Sequence, residues 1–418
     1  MNSRERVLAS LNHREPDRCP LDLGSTGITG IAASAYYSLL KVLGLPQHPP
    51  RVYEVMQMLA DVEDNVLDAL GVDVARLSLP GTTFGFPQAD WKPWTLFDGT
   101  PVLVPGGFNT EPDKNGDILQ YPRDDRSAPP SGRMPRGGYY FDAIVRQEPI
   151  DYERLDPREW LEGQLATYSD EQLSFLEKRS IALSENAGRA IVFSFGGGSF
   201  GDIARVPGPS LPRPRGIRRP DEWYMVHLTH PEYIRGIFTL EYERAMGNLK
   251  LLREALDGRI QVITITGADF GTQRGLFISP DLYRDLYQPL HKRLNDWVHA
   301  NTSWKTFLHS CGSVRDLIPD FIDAGFDCLN PVQCSAAGME AGALKREFGD
   351  RIVFWGGGVD TQKTLPFGTP EDVSREVAER TKILGEGGGF IFAAIHNIQA
   401  KTPPGNLRAL FDTFGRNR

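Results

Sequence analysis

Short runs of β-branched and aromatic residues, separated by stretches of helical periodicity, recur along the chain, and this alternation restricts the fold more than any other feature. The runs are Arg18–Leu23, Val72–Leu79, Ala190–Phe195, Gln261–Thr266, Trp304–His309, Phe326–Asn330, Ile352–Trp355 and Phe390–His396. Between them, Tyr233–Leu256, Pro280–Ala300, Val314–Ala324, Ala341–Phe348 and Pro370–Leu384 read as helices, with Ser279-Pro280 and Thr369-Pro370 as starts and Gly325 and Gly349 as stops. Strand alternating with helix eight times predicts an α/β fold, a (β/α)8 TIM barrel with its site at the carboxyl ends of the strands. The 418 residues, 40% hydrophobic, suffice for the core of one such domain spanning residues 1–418.

Two regions break the rhythm. Residues 82–150 are rich in Gly and Pro and carry a hairpin signal at Asp98-Gly99, so we expect an inserted β-hairpin and loop region after the second strand, packed as a cap or an oligomer contact. Val206–Arg219 holds Pro207, Pro209, Pro212 and Pro214, which forbid regular structure. Its neighbouring Arg205, Arg213, Arg215, Arg218 and Arg219 read as a solvated basic loop rather than an anion site. Gly196, Gly198 and Gly201 have dinucleotide-fingerprint spacing, but prolines follow where a helix must open.

Forty-six basic against 54 acidic residues give a net charge of −8, which argues against a broad grip on nucleic acid or anionic membrane. No run of eighteen apolar residues occurs, and Met1–Asn12 lacks the apolar core of a signal peptide. We therefore expect a cytoplasmic chain with a small-molecule partner, in which Cys19, Cys311, Cys328 and Cys334 remain thiols.

His309-Ser310-Cys311-Gly312 ends one strand run, and residues two apart in extended chain project to the same side. Imidazole plus sulfur suits zinc, provided a third ligand comes from another strand and a fourth position stays open. His396, ending the last run, is placed to be that ligand. Read alone, the pair also fits a polar barrel mouth, and His396 a hydrogen-bonded structural histidine. Asp269, Gln273, Asn330, Gln333 and Asp360 fall just past strand ends, where barrel enzymes gather catalytic and substrate-binding groups.

His309-Ser310-Cys311-Gly312, Asn330-Pro331-Val332-Gln333, Trp355-Gly356-Gly357-Gly358-Val359-Asp360 and His396-Asn397-Ile398, followed by Thr402-Pro403 and Asn406, together resemble the uroporphyrinogen decarboxylase superfamily. Pro20–Gly44 and Met134–Asp142 are similar to its methyltransferase-like branch. True decarboxylases of the superfamily carry paired arginines early in the chain, and here Cys19–Gly27 has none after Arg18. The resemblance therefore implies a corrinoid-dependent, zinc-assisted methyltransferase or demethylase, acting on an aryl methyl ether or a methylated amine. It implies His309, Cys311 and His396 as zinc ligands, Asp269 as a reserve ligand or general acid, and Gln273, Asn330, Gln333 and Asp360 as substrate-orienting groups. The branch carries a cysteine where this chain has His396. The Asp-x-His-x-x-Gly cobalamin signature is absent, so methylcobalamin would come on a partner corrinoid protein; a homodimer is also expected from the resemblance. Two alternatives stand beside this reading. One is a metal-independent decarboxylase or lyase for a small carboxylate, using His396 and Asp269 as acid and base. The other is a non-catalytic ligand-binding barrel.

Overall fold

The structure, a computed structural model, describes residues 1–161, 165–186, 188–203 and 206–417. Seven parallel strands form one sheet in chain order: β1 (Val74–Leu77), β2 (Ala190–Ser194), β3 (Val262–Thr266), β4 (Lys305–His309), β5 (Cys328–Asn330), β6 (Val353–Trp355) and β7 (Phe390–Ile391). Helices Pro231–Leu256, Gln288–Asn301 and Pro370–Gly385 return the chain between successive strands. Nearly every strand residue is buried, as a parallel sheet covered by helices on one face and packed inside on the other requires.

The two edges of the sheet meet through residues 20–22. The Asp22 N–H donates to the Phe392 carbonyl at 2.8 Å and the Phe392 N–H to the Pro20 carbonyl at 2.9 Å, while on the other side the Asp73 N–H donates to the Leu21 carbonyl at 2.9 Å. The sheet is thus curled on itself in the manner of a TIM barrel, with seven regular strands and one bridging segment. The expected strand over Arg18–Leu23 is reduced to this bridge for local reasons. Pro20 has no N–H to donate, the Leu21 N–H is taken by the Asp73 carboxylate at 3.0 Å, and Gly24 turns the chain at φ 88°. The expected strand Phe390–His396 is likewise regular only to Ile391. Beyond it, Phe392 bonds to the bridge, the Ala393 carbonyl accepts from Gly358, and the Ile395 N–H donates to Val359.

Register fixes which side chains face inward. Arg76 is paired with Val192, Ser194 with Thr264, Thr264 with Phe307, and His309 with Asn330. The rings of Phe307 and Trp355 meet edge to face at 5.3 Å across the interior, so alternate residues from these strands, His309 among them, project into the barrel.

The expected helix Pro280–Ala300 is two, Pro280–Leu286 and Gln288–Asn301. Pro289 lacks a donor and its ring opposes the carbonyl four residues back, which breaks the ladder at Tyr287. Val314–Ala324 begins as a 3-10 turn, Arg315–Leu317, and continues as the helix Ile318–Asp323, with Pro319 in its first turn. Between β1 and β2, Lys92–Thr95 pairs antiparallel with Pro101–Val104, and Ile118–Gln120, Gly132–Met134 and Asp142–Ala143 form a three-stranded antiparallel sheet. Phe84, Phe108 and Phe141 pack edge to face beneath them.

Arg205 lies outside the described residues. In the proline-rich loop after it, Arg218 pairs with Glu222 at 2.9 Å, Arg219 with Asp221 at 2.7 Å and Arg215 with Glu159 at 3.4 Å, so these three arginines already have carboxylate partners. The loop itself is held by Arg146, whose guanidinium donates to the Gly208 and Leu211 carbonyls at 2.6 and 2.7 Å. Among the described residues no helix opens between Gly201 and Pro220, and a side chain at Gly201 would strike the Trp223 ring. Among the described residues no helix is long and apolar enough to cross a membrane.

Candidate metal centre

The carboxyl ends of the strands bring His309, Cys311 and His396 together, with one ligand atom of each lying within 4.8 Å of the others. His309 is the last residue of β4, and Cys311 follows on the same side of extended chain. His396 comes from the segment beyond β7, and its ring centroid lies 6.0 Å from that of His309.

The tautomer of His309 follows from its surroundings. Asn330, fully buried, donates through Nδ2 to the Trp355 carbonyl at 2.9 Å, and a carbonyl can only accept. Its Oδ1 therefore faces His309 and accepts from Nδ1–H at 2.7 Å. That leaves the lone pair on Nε2, which points at Cys311 Sγ, 3.4 Å away. Burial holds the imidazoles neutral: His309 is lowered from its ordinary value, and His396 is pushed down to about 4 by burial and by His309. Burial, followed by the nearby Asp269 carboxyl, raises the Cys311 thiol well above its ordinary value.

This donor set fits zinc. Zinc–nitrogen and zinc–sulfur bonds of about 2.0–2.3 Å in tetrahedral geometry place adjacent donors roughly 3.5 Å apart. The 3.4 Å between Cys311 Sγ and His309 Nε2 agrees, and all three donors lie within 4.8 Å of one another. Three protein donors would leave a fourth position open on such an ion, as in catalytic rather than structural zinc sites. Histidine ligands depend on the partner of the other ring nitrogen. Asn330→Leu, of similar volume but without that acceptor, is expected to weaken zinc binding about 10- to 100-fold while the protein stays folded. Chelator competition measures this, and unchanged affinity would show that Asn330 does not hold the ring.

Asp269 lies beside the triad rather than within it. Its Oδ1 accepts the Cys311 N–H at 2.7 Å and sits 3.6 Å from His309 Nε2, and burial raises its carboxyl above the usual range. Gln333 accepts the Gly312 N–H through Oε1 at 2.7 Å and donates to Gln273 Oε1 at 3.1 Å. These two residues brace the loop that carries Cys311. The brace is tight: Gly312 has φ 89°, and a side-chain carbon there would lie 2.5 Å from the Gly271 backbone.

Two expected substrate-orienting groups are placed otherwise. Asn330 has both amide groups committed behind His309, so it serves the histidine. Asp360 is buried, its carboxylate caps the Gln362 N–H at 2.7 Å and its own N–H donates to Glu376 at 3.2 Å. Sequence reading missed Asp202, whose charge acts on His309, and Tyr224, whose hydroxyl donates to the Asp269 carbonyl at 3.0 Å. Neither adjoins a strand end, since Asp202 sits in the glycine-rich loop after β2 and Tyr224 on the helix Pro220–Thr229, so no positional signal marked them.

Residues 249–416 match the uroporphyrinogen decarboxylase (URO-D) family. The matched segment contains all three donors and the strand-end motifs from His309 to Asn406, but neither Pro20–Gly44 nor Met134–Asp142. Among solved structures, a methyltransferase from Methanosarcina mazei superposes with a TM-score of 0.55 over 100% of this chain and 99% of its own, at 17% identity. That likeness concerns the fold. No curated protein matches the chain.

Proposed function

We propose that this chain is a zinc-dependent methyltransferase that moves a methyl group between a small methylated compound, an aryl ether or an amine, and a corrinoid carried by a partner protein. The observation that carries the reading is the convergence of two lone-pair imidazoles and one thiol at the mouth of a URO-D-like barrel. The methyltransferase description of the similar Methanosarcina mazei structure supports it. Zinc held there would stabilise negative charge on the substrate heteroatom that gives up or receives the methyl group. His309, set by Asn330, and His396 would supply neutral nitrogen donors. Asp269, beside His309 and bonded to the Cys311 N–H, would pass a proton to the leaving heteroatom. Tetrapyrrole decarboxylation is disfavoured because Arg18 is turned to Asp73 at the amino end of β1, away from the mouth.

A metal-independent lyase remains the second reading, favoured by one feature: the carboxyl of Asp269 stands beside His309 and acts electrostatically on His396, which gives an acid and a base without an ion. Incubation with cob(I)alamin and a panel of methoxyarenes and methylamines separates the two. Appearance of the methylcob(III)alamin spectrum in the zinc-loaded protein, lost on chelation, supports methyl transfer. Chelation-resistant turnover of a small carboxylate would replace it with the lyase.

A further inference from the structure

We propose that Gln57 and Asn397 are positioning residues for His396, so that the place of the third donor is set by the front of the chain, outside the matched residues 249–416; this rests on the triad being a metal centre. His309 is carried by β4, whose pairing with β5 fixes it. His396 has no such support, because β7 ends at Ile391. Its place must come from what holds the residues beside it. The Ile395 N–H donates to the Val359 carbonyl at 3.0 Å and the Ile398 N–H to the Gly30 carbonyl at 2.9 Å. Between them the side chain of Asn397 is completely buried.

Asn397 Nδ2 donates to the Gly27 carbonyl at 3.2 Å and to Gln57 Oε1 at 2.7 Å. A carbonyl can only accept, so the amide cannot be turned over. Its Oδ1 is left to accept, from Gln399 Nε2 and as the hydrogen-bonding neighbour of the His396 ring. The arrangement repeats that of Asn330, whose Nδ2 is fixed by the Trp355 carbonyl and whose Oδ1 faces His309. Each imidazole of the triad thus stands beside an asparagine that a carbonyl has oriented. Gln57 is in turn held from two directions. Its N–H donates to the Glu54 carboxylate at 2.7 Å, and the same carboxylate accepts the Thr83 hydroxyl, from the insertion, at 2.7 Å. The next residue, Met58, is buried at φ 52°, a conformation that costs free energy for any residue but glycine. Such a turn is kept in shape by its neighbours, and here its carbonyl accepts the Ala33 N–H at 2.9 Å. Without the Gln57 acceptor, one hydrogen of the buried Asn397 amide would lose its partner and the amide would be freer to swing.

The test sets Gln57→Leu, which removes the acceptor, against Gln57→Glu, which keeps one, both on the full chain. Outer partners of metal ligands are worth about 10- to 100-fold in affinity, and Gln57 acts through Asn397, so the lower end applies. Chelator competition should therefore show zinc held about tenfold more weakly in Gln57→Leu and within about threefold of the parent in Gln57→Glu. The visible spectrum of cobalt-substituted protein, which reports how donors are arranged about the ion, should shift in Gln57→Leu alone. In metal-free protein carrying isotope-labelled histidine, the ring signals of His396 should move in Gln57→Leu while those of His309, held by Asn330, stay in place. Parental zinc affinity in Gln57→Leu, unmoved His396 signals, or an equal loss in Gln57→Glu would each overturn the proposal. A parent protein that binds no zinc would strike the metal reading instead, and the His396 signals would then decide the positioning by themselves.

Discussion

Cys311→Ser should fail to hold zinc. The substitution removes one of three donors and replaces a polarisable sulfur with a hydroxyl that scarcely binds the ion near neutral pH, so affinity should fall by more than the roughly 100-fold that loss of an outer hydrogen-bonding partner costs. The backbone should not move, because its anchors are separate from the sulfur: Asp269 holds the Cys311 N–H at 2.7 Å and Gln333 the Gly312 N–H at 2.7 Å. A Tm within a few degrees of the parent, measured on metal-free protein, would verify this. Metal analysis after dialysis is the decisive measurement. Retention of one zinc per chain would remove Cys311 from the ligand set and, with it, the reason for preferring methyl transfer.

The same site sets the pH dependence of metal uptake. His396, pushed down to about 4, and His309, lowered by burial, are already unprotonated near neutral pH and release nothing when an ion binds. The Cys311 thiol is raised by burial and still carries its proton. One proton must therefore leave for each ion bound, and affinity should rise about tenfold per pH unit between pH 6 and pH 8. Chelator titration across that range gives the slope. In Cys311→Ser the slope should flatten; a slope near two in the parent protein would mean that a histidine is also being deprotonated.

The strand-end motifs were legible because a parallel barrel converts position into geometry. A residue at the carboxyl end of a strand reaches the mouth whatever lies between strands, so His309 and Cys311, and with them Asp269, could be placed before any coordinates. The same logic does not reach the hydrogen bonds of Asn330 and Asp360. Position past a strand end says nothing of which way an amide or carboxylate turns, and both turned to satisfy neighbours that sequence does not reveal: the Trp355 carbonyl and His309 for one, the Gln362 N–H for the other. The reduced first strand followed from side-chain competition, since the Asp73 carboxylate captured the Leu21 N–H that the ladder would have used.

That carboxylate is the second place where a single change should matter greatly. Asp73 is completely buried at the start of β1 and accepts from Arg6 Nη1 at 2.7 Å, from both terminal nitrogens of Arg18 at 2.8 Å, and from the Leu21 N–H. It thereby ties the helix Ser3–Leu11 and the bridging segment to the sheet edge. Asp73→Asn keeps the shape but leaves two guanidiniums without their shared anion. Breaking a buried ion pair from one side costs about 3–5 kcal/mol. The lower end applies here, because Arg18 is 22% exposed and Arg6 keeps a second partner in Asp17 at 2.6 Å. The loss should also be local before it is global. Hydrogen exchange at the Asp22 and Phe392 amides, which carry the closure of the sheet, should accelerate more than exchange in β4 or β5. Uniform acceleration along all strands would mean that the sheet does not depend on this seam, and an unchanged denaturation midpoint would mean that the two arginines find adequate solvation without Asp73.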